Sequence, residues 1–512
     1  MFSIPRSSGI LLHPTSLPGR FGIGEIGPAA HQWLETLEHM GQRLWQILPL
    51  GPTGYGSSPY QSLSSFAGNP MMISFDSLVY DGVLKPGDLQ MVPAFPAHKV
   101  DFSAAAEVRM AFLKLAAQRF LAQCEASSLL RRNFEAFCER EQDWLDDYSL
   151  FIALKKEHGD QSWNEWPRDL AMRQPEAIAE ALVRLEAEID EVKVQQFFFY
   201  RQWQKVHDRA SELGIQIIGD IPIFTAHDSS DVWARPDLFD LDEHGNPLVV
   251  AGVPPDYFTA LGQRWGNPLY KWPAHEAEGF AWWKSRLRKT LEMVDIVRID
   301  HFRGFAAYWE IQASEPTAVN GRWVEAPGDA LFEALKSAMG NNVPVIAEDL
   351  GIITPDVVAL RDRHGFPGMR VLQFAFGADA LAADYVPENY PEDSVAYTGT
   401  HDNDTVMGLF HSDVGEESTR SREQIDAERR TILTYTGTDG SELNWDFIRA
   451  VWNSQARLAI APLQDLLGLG SESRMNTPGK MGDFWGWRFT WDQLTLEIEQ
   501  KMRKITEEAG RV

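Results

Sequence analysis

The sequence predicts an α/β fold built on a parallel sheet, and three observations lead to this prediction. Short, almost continuously apolar segments alternate with amphipathic helices, as in a parallel sheet that is covered on both faces. Hydrophobic residues make up 44% of the 512 residues, which is enough for a large core. Acidic residues follow several of the apolar segments directly. Domains of about 150 residues would divide this length into three, but large α/β barrels absorb such lengths as one unit.

Seven segments have the length and apolar character of strands, and most of them follow a helical segment. The strand segments are 9–12, 44–48, 215–220, 294–300, 343–348, 370–374 and 394–400, with 484–489 as the candidate for an eighth. The helical segments beside them are 29–40, 194–213, 280–293, 330–339 and 355–365. Eight such units would close a (β/α)8 barrel, whereas six or seven could equally form a doubly wound sheet.

Two stretches interrupt this alternation and are predicted to be insertions. Residues 80–192 are helical and charged, which indicates a helical subdomain inserted between the second and third strands. Residues 225–272 are dense in Gly, Pro and aromatic side chains, which indicates a long, loop-rich insertion after the third strand. We therefore expect a first part of the α/β domain at 1–79, the helical insertion at 80–192, and the remainder at 193–512, including the loop-rich insertion.

The charge and the cysteine content exclude several classes of partner. Lys and Arg number 47 against 73 acidic residues, and the resulting net charge of −26 argues against binding to nucleic acid or to an anionic membrane. No apolar run approaches the roughly 18 residues of a membrane span, and 1–6 lacks the layout of a signal peptide. Only Cys124 and Cys138 are present, which indicates reduced thiols. We expect a cytoplasmic protein, although an imported protein with its leader removed would look the same.

Four predicted strands end in an acidic residue or are followed closely by one: Asp220, Asp300, Glu348 and Asp402. In parallel α/β folds the functional groups gather at the carboxyl ends of the strands. A single acid at such a place usually caps the next helix or pairs with a basic neighbour, but four at separate strand ends favour a shared site. Clustered carboxylates could bind a divalent cation, or they could cleave a glycosidic bond with one nucleophile and one acid/base.

The neighbours of these acids favour glycosidic chemistry over a metal site. Arg298 lies two residues before Asp300, so both side chains point to the same face, and the guanidinium would keep Asp300 ionised. Glu348 follows an apolar segment, where partial desolvation would keep its carboxyl protonated. Spacing alone does not distinguish Glu348 from the adjacent Asp349 as the catalytic acid. His401 supplies a hydrogen-bond donor for sugar hydroxyls.

Several motifs then indicate a family. Three segments resemble the motifs at strands 4, 5 and 7 of the α-amylase clan, and they are Val297–Gly304, Ile346–Gly351 and Gly399–Asn403. The residues in these motifs resemble those of the amylomaltase family, that is the 4-α-glucanotransferases or disproportionating enzymes. Four further segments resemble the same family: His13–Gly19, Leu50–Ser62, Ala251–Phe258 and Gly262–Pro268. The similarity extends from residue 9 to about residue 490 and leaves only the helical insertion without a recognised motif.

The resemblance implies a (β/α)8 barrel and a retaining double displacement. Asp300 matches the family's nucleophile, Glu348 its acid/base, and Asp402 the carboxylate that fixes the sugar ring. The match therefore favours Glu348 over Asp349. The family lacks the calcium-binding domain of many amylases, so we expect no metal and no cofactor.

Further residues match the family's substrate-binding positions. Arg298, Asp220 and His401 match residues that hold the sugar at the cleavage subsite, and Tyr60 matches an aromatic side chain that packs on it. A family loop that leans over the cleft and contacts the acceptor resembles the stretch with Asp256, Gln263 and Trp265. The aromatic side chains predicted to position the acceptor and limit access of water are Tyr55, Tyr60, Tyr257, Phe258 and Trp265, and each of them could instead serve loop packing.

The expected substrates are α-1,4-glucans, maltooligosaccharides and glucose, and the oligomeric state stays open. Three alternatives remain at this point: a retaining α-glucan hydrolase, a noncatalytic glucan-binding scaffold on a degenerate barrel, and a metal-dependent aldolase or hydrolase. Intact acids at Asp300, Glu348 and Asp402 argue against the scaffold.

Overall fold

A computed structural model of the chain describes residues 4–123, 128–255, 261–377, 382–413, 421–480 and 482–512, and the side chains of Tyr55 and Gln123 are also outside this description. Within these ranges the structure has twelve strands. They are β1 (Ser7–Leu11), β2 (Leu44–Gln46), β3 (Gln216–Pro222), β4 (Val249–Val253), β5 (Gln263–Pro268), β6 (Ile296–Asp300), β7 (Ala307–Gln312), β8 (Gly321–Glu325), β9 (Val345–Ala347), β10 (Gly368–Val371), β11 (Ser394–Tyr397) and β12 (Leu458–Pro462).

Eight of these strands close into a parallel barrel, in the order β1-β12-β11-β10-β9-β6-β3-β2. Closure is direct, because β1 pairs in parallel with both β2 and β12. β1, β2, β9, β11 and β12 are buried along their whole length, since their side chains face either the barrel interior or the surrounding helices. The predicted barrel is therefore confirmed, and the doubly wound alternative is excluded.

The prediction for the eighth strand is wrong. The eighth barrel strand is β12 at Leu458–Pro462, whereas 484–489 forms no strand. The sequence does not indicate β12 as a strand, because a short helix begins directly after it at Leu463 and no polar residue separates the strand from the helix. The aromatic alternation of 484–489 resembles a strand, but Trp485 has a φ of 68° in the left-handed region, which a strand does not contain.

The described residues form seventeen α-helices, and none of these is long and apolar enough to cross a membrane. They are α1 (Pro28–His39), α2 (Phe75–Tyr80), α3 (Phe102–Gln123), α4 (Leu129–Glu157), α5 (Arg168–Ala171), α6 (Pro175–Arg184), α7 (Glu186–Glu212), α8 (Ser230–Ala234), α9 (Trp272–Ala277), α10 (Ala281–Met293), α11 (Gly328–Met339), α12 (Pro355–His364), α13 (Val406–His411), α14 (Arg422–Thr436), α15 (Leu443–Asn453), α16 (Leu463–Leu466) and α17 (Leu496–Glu508). Pro at the first helical position and a left-handed Gly365 bound α12, as the sequence predicts.

The helices between β2 and β3 include the predicted helical insertion. α3, α4 and α7 pack through aromatic rings, with the ring centroid of Phe120 5.3 Å from that of Phe134 and 6.0 Å from that of Phe197. α7 also packs on the barrel, where the Trp203 ring lies 6.2 Å from that of Trp45. Residue 192, the predicted end of the insertion, lies inside α7. The division into domains stays a prediction.

The stretch after β3 contains more regular structure than the sequence predicts. β4 and β5 lie within 225–272 and join an antiparallel sheet of order β5-β4-β7-β8, whose other two strands follow Asp300 in the chain. Both strands are short, and a register irregularity between Val250 and Gly252 interrupts their pairing, so no regular alternation marks them. This outer sheet places β5 beside the segment that follows β6, where Trp265 of β5 contacts His301.

Candidate active site

The floor of the site is built by two neighbouring barrel strands, β3 and β6. Their register pairs Asp220 with Arg298 and Pro222 with Asp300. The Arg298 side chain points to the same face as Asp300, as the strand period predicts, and its Nη1 donates to Asp220 Oδ2 at 2.6 Å and to Asp300 Oδ1 at 3.0 Å. The side chains of Asp220 and Arg298 are 0% and 4% exposed, while that of Asp300 is 28% exposed. Asp300 is therefore the acid of this group that solvent or a ligand can reach.

Asp220 connects the floor to Tyr60. The Tyr60 hydroxyl donates to Asp220 Oδ2 at 2.9 Å. Burial raises the pKa of Asp220 above its ordinary value, and the Arg298 guanidinium opposes this effect. Asp220 Oδ1 is buried and has no hydrogen-bond partner among the described residues. Such an atom is costly to leave unpaired, which makes it a candidate contact for a polar ligand.

Glu348 lies directly after β9, which pairs with β6. Its carboxyl accepts two backbone hydrogen bonds, from His301 N to Oε2 at 2.7 Å and from Leu350 N to Oε1 at 3.0 Å. Burial raises the pKa of Glu348 to about 8, with Arg298 lowering it and Asp300 raising it. The carboxyl therefore keeps a proton at neutral pH, beside an Asp300 that lies next to a guanidinium.

The structure separates Glu348 from Asp349, which the sequence spacing does not. Asp349 is buried on the other side of the segment, where its carboxylate contacts Arg361 and accepts a hydrogen bond from Met369 N at 2.7 Å. Arg370 lies 3.6 Å from the same carboxylate. Asp349 therefore ties this segment to neighbouring elements, while Glu348 interacts with Asp300.

Asp402 and His401 follow β11 and stand at the rim of the barrel. The Asp402 side chain is 40% exposed, and its Oδ1 accepts a hydrogen bond from Asn476 Nδ2 at 2.6 Å. Arg474 Nη2 donates to the Asp402 main-chain oxygen at 2.5 Å, so two residues of one loop hold this acid. Asn476 and Arg474 were not predicted from the sequence. The loop follows β12, and recognising β12 as a barrel strand would have directed attention to its polar residues.

A cluster of flat rings lies beside these acids. The Tyr60 ring stacks on the His401 imidazole with centroids 5.2 Å apart and planes at 17°. Trp485 completes the cluster, at 5.8 Å from Tyr60 and 5.9 Å from His401. Burial lowers the pKa of His401, so the imidazole is neutral at physiological pH. Trp485 belongs to the segment wrongly predicted as a strand, and its contact with Tyr60 was not predicted from the sequence.

Of the predicted acceptor-side residues, the structure fully describes three: Tyr60, Gln263 and Trp265. Trp265 on β5 packs edge-on against the His301 ring, with centroids 4.8 Å apart and planes at 88°. Its Nε1 donates to Gln263 Oε1 at 3.1 Å. Asp256, Tyr257 and Phe258 lie outside the described residues, and for Tyr55 only the backbone is described, within a short 3-10 turn. Their predicted contacts therefore stay predictions.

The arrangement joins three groups that glycosidic chemistry needs. A carboxylate beside a cation can attack carbon, a protonated carboxyl can donate to a leaving oxygen, and rim carboxylates with stacked rings can hold a sugar. The positively charged Arg298 lies between Asp220 and Asp300, which leaves no need for a cation at that position.

Comparison with known proteins points to one family. The family described as 4-alpha-glucanotransferase matches residues 12–495. The 4-alpha-glucanotransferase of Thermus thermophilus is 49% identical over 511 residues, covering 99% of this chain and 100% of that protein. The enzyme of the same name from Synechocystis sp. is 47% identical over 509 residues, covering 99% of this chain and 98% of that protein.

A solved structure agrees with these relatives. The amylomaltase of Streptococcus agalactiae in complex with acarbose has a TM-score of 0.92 and 37% sequence identity, covering 99% of each chain. The amylomaltase of Corynebacterium glutamicum, at 17% identity and a TM-score of 0.80, shares the fold over 98% of this chain and 75% of that one. By the extent of the family match and the identity of its relatives, this chain belongs to the 4-alpha-glucanotransferase family.

Proposed function

We propose that this chain transfers α-1,4-glucan segments from a donor to the 4-hydroxyl of an acceptor glucan or glucose. The observation that supports this most is the pair at the ends of the neighbouring strands β6 and β9: Asp300 held beside Arg298, and Glu348 with its pKa raised to about 8. Family membership supplies the substrate class, since the relatives are named 4-alpha-glucanotransferases. The Streptococcus agalactiae amylomaltase was solved in complex with acarbose, which supports a carbohydrate ligand for this chain as well.

In the first step Asp300 attacks the anomeric carbon of the donor. Arg298 stabilises the negative charge on Asp300 until the attack. Glu348 gives its proton to the bridging oxygen, the glycosidic bond breaks, and the distal part of the donor leaves with a free 4-hydroxyl. The retained glucan is then bound to Asp300 as an ester with inverted configuration at the anomeric carbon.

In the second step Glu348 acts as a base. It takes the proton of the acceptor's 4-hydroxyl, and the acceptor oxygen attacks the anomeric carbon as the ester bond to Asp300 breaks. The second inversion restores the α configuration. Glu348 ends protonated and Asp300 ends ionised, so the site is ready for another donor.

The remaining residues hold the sugar during both steps. Asp402 is oriented by Asn476, and its exposed carboxylate would accept hydrogen bonds from sugar hydroxyls. The unpaired Oδ1 of Asp220 and the neutral imidazole of His401 would bind further hydroxyls. The Tyr60 ring, stacked on His401, would pack on the sugar face. Binding several hydroxyls of one ring positions its anomeric carbon for attack.

Transfer has to compete with hydrolysis, since water is small and abundant. Trp265 and Gln263 on β5 stand beside His301, where they would contact the acceptor and limit the access of water. A retaining α-glucan hydrolase is the alternative, because it would use the same acids with a weaker acceptor site.

Incubation with maltotriose tests the proposal. A transferase forms maltopentaose and longer oligomers together with free glucose, and reducing ends stay constant in number. A hydrolase forms only maltose and glucose, with a steady gain in reducing ends. Chromatography of the products and a reducing-end assay on the same samples distinguish the two, and activity that a chelator abolishes would instead favour the metal-dependent alternative.

A further inference from the structure

His301 directly follows the proposed nucleophile and has an unusual backbone. Its φ of 52° and ψ of 51° lie in the left-handed region, which few residues other than Gly adopt. His and Asn tolerate this region better than most, while a β-branched residue is a genuine outlier there. In this conformation the His301 N–H points across to the neighbouring segment and donates to Glu348 Oε2 at 2.7 Å.

The His301 ring packs against two neighbours. The Trp265 ring lies 4.8 Å away between centroids, with the two planes nearly perpendicular. The imidazole also lies close to Gly304, where an added Cβ would stand 3.2 Å from His301 Cδ2 and 2.6 Å from Ile223 Cδ1. The imidazole and Ile223 therefore occupy the space beside Gly304. The ring's Nε2 is buried and has no partner in the part of the chain that the structure describes.

The ring acts through its shape and not through charge. Burial lowers the pKa of His301 to about 3, with Arg303 adding to the effect, so the imidazole is neutral throughout the pH range of the reaction. A neutral ring adds no charge that would change the pKa of Glu348. The group of His301 that contacts Glu348 is its backbone N–H.

We propose that His301 is a positioning residue for Glu348: its left-handed backbone, held by the contact between its ring and Trp265, keeps an amide donor on the carboxyl of the acid/base. The inference rests on the proposed function of Glu348 and adds a means by which β5 affects the acid/base. Because a strained backbone conformation persists only where the surroundings impose it, we infer that the packing of the ring against Trp265 and Gly304 maintains the donor.

The direction of the effect follows from the groups around Glu348. Arg298 and Asp300 on β6 are the charged groups with the largest effect on its pKa, and the amides of His301 and Leu350 donate hydrogen bonds to it. An amide bond favours the ionised carboxylate, so its loss raises the pKa of Glu348 further. The alkaline limb of kcat/KM against pH, which reports this acid in the free enzyme, then moves to higher pH.

The test compares two substitutions that differ in backbone preference. His301→Val disfavours the left-handed conformation, whereas His301→Asn tolerates it while also shortening the side chain. For transfer from maltotriose we expect Val to lower kcat at least tenfold and to move the alkaline limb up by about one pH unit, the order of one charged hydrogen bond. Asn should move the limb by less than half as much. His301→Ala, with a milder backbone penalty, replaces Val if that variant does not fold.

Asp160→Val is the matched control. Asp160 also has a left-handed backbone, with a φ of 60°, but it is exposed in a loop after α4. This variant should lose stability without any change in the pH profile. Superimposable profiles for His301→Val and the wild type would overturn the inference, as would equal shifts for Val and Asn. If the wild type showed no transfer at all, the proposed function would fail instead, so the two failures are distinguishable.

Discussion

The floor of the barrel mouth and its rim hold their polar groups by different means. On the floor, Asp220, Arg298 and Asp300 stand on paired strands and are joined through one guanidinium nitrogen. At the rim, Asp402 is held by Asn476 from a loop 74 residues further along the chain, and its carboxylate is partly exposed. Strand register leaves the floor little freedom, while the rim depends on single hydrogen bonds and ring contacts. In the proposed function, the floor supplies the reacting groups and the rim binds the sugar.

The largest expected effect is on the floor. Asp300→Asn removes the proposed nucleophile, so we expect transfer from maltotriose to fall by about 10⁴-fold or more, as for other covalent nucleophiles. Folding should be retained, because Asn can still accept from Arg298. The surface variant Asp393→Asn, which also loses the charge of an arginine-paired acid, should keep full activity. Turnover retained in Asp300→Asn would contradict the assignment of the nucleophile.

Glu348→Gln should have the next largest effect, and it should depend on the leaving group. With maltotriose the rate should fall by about 10²- to 10⁴-fold, the usual contribution of a general acid. With an α-glycosyl fluoride the first step needs no proton, so formation of the ester should fall far less. Comparing the two donors under single-turnover conditions measures this, and an equal loss with both would argue that Glu348 only holds the fold.

The pH profile of the wild-type protein tests the proposed role of Glu348 without a substitution. Glu348 must be protonated in the first step, so kcat/KM should fall as the pH rises through a value near 8, the raised pKa of this carboxyl. The relevant measurement is the initial rate of transfer at low maltotriose concentration from pH 5 to pH 10. If the alkaline limb of kcat/KM stays at the same pH in an active Asn476→Ala variant, the limb reports a group of the floor and not one of the rim.

At the rim, a smaller effect is expected from Asn476→Ala. The variant leaves Asp402 Oδ1 without its donor, and a lost hydrogen bond to a charged group corresponds to roughly a tenfold to hundredfold fall in kcat/KM. Asn389→Ala, which removes an exposed side-chain amide that bonds Ala383 O, is the control. If both variants behaved alike, Asn476 would have no role in orienting Asp402.

The smallest expected effect is a change in product ratio in Trp265→Ala, a variant whose rate should also fall because Trp265 contacts the His301 ring. The substitution should change the ratio of hydrolysis to transfer by a few fold, since one aromatic contact with an acceptor is worth about 1 kcal/mol. Trp323→Ala removes a partly exposed Trp of β8 in the same outer sheet and should leave the ratio unchanged. An unchanged ratio in Trp265→Ala would remove β5 from the acceptor site.

The same division between floor and rim explains what could be predicted from the sequence. The period of a strand places Arg298 and Asp300 on one face without knowledge of the rest of the chain. No sequence periodicity connects Asp402 with Asn476. Trp485 has a left-handed backbone, which the apolar residues around it do not indicate, because their alternation resembles a strand. β12 was missed because α16 follows it without a break, and β4 was missed because its partners β5 and β7 lie on both sides of β6 in the chain.

One measurement tests the central claim most directly. Glu348→Gln is mixed with an α-maltotriosyl fluoride, and the protein is digested and analysed by mass spectrometry. The account predicts that a maltotriosyl ester accumulates on the peptide that contains Asp300 and persists when maltose is added, because the variant lacks the base that activates the acceptor. An unmodified protein, or an ester on another residue, would contradict it.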